Sequence, residues 1–69
     1  MKILATTDLS REGNDCYIYE SVSIVEQFGI YSIIVCQKVT GWAKRETAYV
    51  ELTSSDYNKI IDKYNKLCN

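Results

Sequence analysis

The stretch Thr53-Ser54-Ser55-Asp56-Tyr57-Asn58-Lys59-Ile60-Ile61-Asp62-Lys63-Tyr64-Asn65-Lys66-Leu67-Cys68 decides the fold. Its apolar residues fall at Tyr57, Ile60, Ile61, Tyr64, Leu67 and Cys68, the three-and-four spacing of a helix with one apolar side. At about 100° per residue they occupy an arc of about 120°. Lys59, Lys63 and Lys66 fall on the opposite side. Thr53 to Asp56 offers a choice of N-cap, and Asp56 suits the positive end of the helix dipole. Asp62 stands four residues before Lys66, the favoured order for an ion pair along a helix. The spacing predicts a helix near 54–68. Its apolar stripe must lie on something, and the rest of the chain supplies a sheet.

Working back from the helix, 46–52 alternates, with Ala48, Val50 and Leu52 on one side and Thr47, Tyr49 and Glu51 on the other. Residues 30–39 are β-branched and apolar on both parities, as in a central strand covered on both faces. Residues 16–27 place Ile18, Val22 and Ile24 on one parity, with Tyr17 and Tyr19 on the other. Phe28-Gly29 makes a tight connection between these two strands. Residues 2–9 form a further strand, and 11–15 read as a turn in which Gly13 and Asn14 are able to take positive φ. The expected architecture is α+β: an antiparallel sheet of three to four strands in a meander, with one C-terminal helix on one face. It forms a single domain over 1–69. Ile18, Val22, Ile24, Val50, Leu52, Ile60, Ile61, Tyr64 and Leu67 are its expected core. One helix leaves the other sheet face open, and the alternation puts Tyr49, Tyr17 and Tyr19 there.

Composition narrows the function. The chain of 69 residues is 46% apolar, enough for a small core and too much for a disordered chain. Eight bases meet nine acids, for a net charge of −1, whereas a nucleic-acid binder carries a basic stripe. Histidine is absent, which excludes Ser-His and Cys-His nucleophile pairs. The three glycines, Gly13, Gly29 and Gly41, form no phosphate loop. No carboxylate pair stands at a catalytic spacing. The expectation is therefore a protein without enzymatic activity. The N-terminal stretch lacks the apolar run of a secretory signal. The longest apolar run, Ile33 to Cys36, is far short of a membrane span. Both point to a cytoplasmic location.

Cys16, Cys36 and Cys68 read in two ways. They are either small buried apolar groups or, with Asp8 or Asp15 as a fourth ligand, a structural zinc site that supports a short domain. The partner-binding candidates are Trp42, Lys44, Arg45 and Tyr49. Tryptophan, tyrosine and arginine are enriched at interface hot spots, and Trp42 lies in a loop beside two cations. Trp42 alternatively folds back as a lid on the open face. A tyrosine-bearing sheet beside a basic loop would also suit single-stranded RNA, by stacking bases, although the net charge and the carboxylates on the same strands oppose this.

The stretch Phe28-Gly29-Ile30-Tyr31-Ser32-Ile33-Ile34-Val35, followed by Tyr49 to Asp56 and Ile60-Ile61, resembles short proteins of Gram-positive bacteria and their prophages. In those, a Tyr/Phe-Gly-Ile strand precedes a strand-to-helix junction of the Leu/Ile-Ser/Thr-x-x-Asp type. The likeness spans roughly 17–65 and implies a meander plus helix without naming an activity. In size and character such proteins also resemble the type II anti-CRISPR proteins, which inhibit Cas9. That likeness implies a protein-binding inhibitor that blocks DNA loading or cleavage. A small regulatory adaptor or a homodimer is the alternative.

Overall fold

The computed structural model describes residues 1–41 and 44–69; Trp42 and Ala43 lie outside the described residues. Two twelve-residue strands, β3 (Cys16–Gln27) and β4 (Ile30–Gly41), form the axis of the molecule. They pair antiparallel from Cys16↔Gly41 to Gln27↔Ile30. The two numbered strands before them are β1 (Lys2–Asp8) and the short β2 (Arg11–Gly13), which line the outer edge of β3 in succession. β5 (Arg45–Ser54) pairs with β4, and α1 (Tyr57–Cys68) follows. The sheet order is β1-β3-β4-β5, with β2 beside β3.

This is the expected α+β arrangement, with five strands instead of three or four. The additional strand is β2, which lies inside the stretch read as a turn. Arg11, Glu12 and Gly13 pair with Ile18, Tyr17 and Cys16. The turn shrinks to Asn14-Asp15, and Asp15 takes the positive φ of 57°.

Register assigns the faces. Val22 lies opposite Val35, Ile24 opposite Ile33, and Ile33 opposite Leu52. α1 packs on this side. Val22, Ile24, Ile33, Val35, Ile60 and Tyr64 form the buried cluster, with Ala5, Leu9, Tyr31, Leu52, Ile61, Leu67 and Cys68 at its margin. Ile18 is half-buried. The Tyr64 hydroxyl is hydrogen-bonded to the Thr7 hydroxyl on β1. The helix therefore reaches across to the far edge of the sheet.

Of the expected core, Val50 is the exception: it is 56% exposed. The pairing steps from Ile33↔Leu52 to Ile34↔Val50, so Glu51 is the extra residue of a β-bulge. A bulge of one residue reverses the parity of everything before it. Val50 is turned to the open face, and Tyr49, now opposite Val35, moves to the helix side. Glu51 itself reaches Lys63 on the helix, 3.5 Å away.

The helix begins at Tyr57, three residues later than expected. Asp56 is the N-cap, accepting from the Asn58 N–H at 3.0 Å. Ser54 stays in β5, where its hydroxyl accepts from the Asp56 N–H. Asp62 and Lys66 form the expected ion pair at 3.3 Å.

The molecule measures 41 × 22 × 15 Å. A twelve-residue strand spans about 40 Å, while a twelve-residue helix spans about 18 Å. The helix thus covers only part of even its own side. The radius of gyration, 13.4 Å, exceeds the roughly 11 Å of a compact chain of this length. No described helix is long and apolar enough to cross a membrane.

Candidate partner-binding surface

Among the described residues, the face away from the helix has no second layer. Its residues follow from the register: Ile3-Val25-Ser32-Thr53 in one row, Thr6-Ser23-Ile34-Val50 in the next, then Asp8-Ser21-Cys36-Ala48. Tyr19-Lys38-Glu46 completes the series, with Tyr17 beyond it. The two ends differ in chemistry.

The end near the β3–β4 turn is apolar. Met1, Val25, Phe28, Ile30, Ile34 and Val50, with Gln27 and Ser32, line a shallow hollow of about 320 Å³. Val25 is buried at its floor, whereas Met1 is 80% and Ile3 63% exposed. At the rim stands Phe28, 92% exposed. Gln27 pairs with Ile30, so Phe28 and Gly29 form a two-residue hairpin loop. Their φ values are 55° and 78°, the two positive angles of a type I′ turn, for which Asn-Gly is the relaxed sequence. A phenylalanine in the left-handed region is strained. In this loop it is also unburied.

The other end is polar and aromatic. Tyr17 and Tyr19 lie with ring centroids 4.5 Å apart and planes tilted by 54°. Lys38 lies between Tyr19 and Glu46 in register, and Asp8 lies on the row of Ser21, Cys36 and Ala48. Glu12 faces Tyr17. Asp8, Glu12 and Glu46 share this end with Lys38. The Asp8 carboxylate is held below its ordinary range, first by the Ser10 hydroxyl and then by the Ser10 N–H, both of which donate to it. It therefore stays charged at neutral pH.

Of the described candidates, Arg45 and Tyr49 both lie on the helix side of β5. Trp42 lies outside the described residues. Lys44 and Arg45 line a hollow with Lys38, Val39, Thr40 and Glu46 at the polar end. Tyr49, 53% exposed, projects from the helix side because of the bulge, so the expectation that it shares the open face with Tyr17 and Tyr19 is corrected.

The three thiols are not brought together. Cys36 is exposed on the open face, in register with Ser21 and Ala48. Cys68 packs at the margin of the core on the other side. Cys16 begins β3, five residues from Ser21, or about 16 Å along the strand. The sheet itself separates Cys36 from Cys68, and Asp8 and Asp15 do not bridge them. Among the described residues, no group of three or more His, Cys, Asp or Glu side chains is placed to hold a metal ion.

Phe28 is absent from the binding candidates that residue type selects, because in the sequence it is half of a tight connection. The signal was present: a bulky aromatic occupies a position where the turn demands positive φ. No protein-family model matches the chain, and no curated protein or solved structure matches it significantly.

Proposed function

We propose that this protein acts by binding another protein through the apolar end of its open sheet face, with Phe28 as the anchor. The observation that carries the reading is Phe28 itself. It is strained where Asn would be relaxed, and it is 92% exposed, so folding alone gives no reason for it. Departures from local preference of this kind concentrate at functional sites. Met1, Ile3, Ile30 and Val50 add exposed apolar surface beside it, more than the scattered single residues of an ordinary surface.

The size of the molecule suits action by occlusion. Its surface is 5000 Å², and a standard interface takes about 800 Å² from each partner. A single contact thus uses about a sixth of the protein, with no catalytic step required. The likeness in size and character to type II anti-CRISPR proteins makes Cas9 the first partner to assay, with DNA loading or R-loop formation as the blocked step.

The test is co-purification with tagged Cas9–guide complex, comparing the wild type with Phe28→Asn. The wild type is expected to be retained. Loss of a hot-spot aromatic costs about 2 kcal/mol or more, roughly thirtyfold in affinity, so the variant is expected to wash off. Retention of both proteins alike would remove Phe28 from the interface. Retention of neither would remove Cas9 as the partner.

A further inference from the structure

The outer edge of β5 lies away from Phe28 and pairs with no other described strand. β5 is an edge strand of ten residues, about twice the usual strand length. Every residue from Arg45 to Val50 is exposed. An edge of this kind is a template for another strand unless something blunts it, such as proline, an inward charge or a bulge. The chain contains no proline, and the bulge residue Glu51 stands at the far end of the stretch, with its side chain turned toward Lys63 of the helix. The opposite edge is better guarded. β1 is shorter and is interrupted by its own bulge at Leu4, between the pairs Ile3↔Val25 and Ala5↔Ile24.

The segment Arg45-Glu46-Thr47-Ala48-Tyr49-Val50-Glu51 complements itself when reversed. With Ala48 opposite its own copy, Thr47 meets Tyr49, Glu46 meets Val50 and Arg45 meets Glu51. The last pair occurs twice, once on each side of the centre. Both members lie on the helix side of the sheet: Arg45 pairs with Val39, on the parity of Val35, and Glu51 reaches Lys63. Neighbouring centres lose this match. Centring on Thr47 sets Arg45 against Tyr49, and centring on Tyr49 sets Thr47 against Glu51. We propose that β5 pairs antiparallel with β5 of a second copy of this chain, about a two-fold axis at Ala48. Such a contact is isologous, so it closes as a dimer and does not propagate. The two Phe28 tips then lie at opposite ends of the joined sheet, and each keeps its own binding surface.

A single strand pair buries less than a standard interface of about 1,600 Å², so the dimer is a weak one, formed at high micromolar concentration. Sedimentation equilibrium there is expected to give twice the chain mass of 7.9 kDa. Arg45→Glu and Glu51→Arg each place like charges opposite one another at both symmetric positions. Each is expected to raise the dimer dissociation constant about tenfold. The double variant restores opposite charges and is expected to return the constant close to that of the wild type. Arg45 is exposed, whereas Glu51 is half-buried against Lys63, so thermal unfolding followed by circular dichroism checks that Glu51→Arg is folded before its association is read. A wild-type protein that stays monomeric would overturn the proposal. So would a double variant no better than the two single ones, which would place the two-fold axis elsewhere.

Discussion

Asp8 and Ser10 hold the corner where β1 gives way to β2. The Ser10 hydroxyl donates to the Asp8 carboxylate and in turn accepts from the Glu20 N–H at 3.2 Å, while the Leu9 N–H donates to the Glu20 carbonyl at 2.8 Å. Both Ser10 donors favour the charged carboxylate, so the folded value of Asp8 lies below the unfolded value. The sign follows by linkage. This contribution to stability is fully present above about pH 4, the unfolded carboxylate value, and is lost as the pH falls through the folded one. Ser10→Ala removes the larger cause, so an NMR titration of the Asp8 side chain is expected to move upward. An unmoved titration would show that the hydroxyl is not the group that holds it. Gly41 is a second sensitive residue. Its φ is 131°, and a Cβ there would stand 2.7 Å from the Asp15 carbonyl oxygen and 3.1 Å from the Cys16 Cβ. Gly41→Ala is expected to cost more than about 1 kcal/mol. An unchanged urea midpoint would mean that the β2–β3 turn does not close against Gly41.

At the scale of elements, the bulge at Glu51 determines what β5 contributes to each face. Ile60 sits at the centre of the core with no exposed surface. Ile60→Ala is expected to cost about 2–5 kcal/mol, whereas Val50→Ala, on the open face, is expected to stay within about 0.5 kcal/mol. Equal costs in chemical denaturation would contradict the reversed parity. This bulge also marks where the sequence stops being readable. Ala48-Tyr49-Val50-Glu51-Leu52 alternates without a break, so nothing local announces the extra residue; Glu51 is seen to meet Lys63 only once the helix is in place. The helix was legible because six apolar residues share one arc, and its N-cap was narrowed to four candidates of which Asp56 serves. Ile33 and Val35 were missing from the expected core for the opposite reason: β4 is apolar on both parities, so alternation cannot choose its buried side. Ile33 and Val35 face the helix, while Ile34 faces outward. Residue type alone favours the Trp42 loop as a binding site. Phe28 needed the turn geometry to stand out.

For the whole molecule, one helix on a long sheet leaves, among the described residues, one face bare and part of the other uncovered. The apolar end of the bare face stays exposed around a residue that the turn would prefer not to hold. On the proposed function, Phe28 is kept for a partner and contributes nothing to the fold. Urea denaturation of Phe28→Asn tests this most directly, and without knowledge of the partner. Asparagine tolerates the left-handed region and suits the first position of this turn. A higher midpoint with an unchanged slope is expected, a gain of about 1 kcal/mol. A lower midpoint would show that Phe28 holds the hairpin together, and the reading of this surface as a binding site would be contradicted.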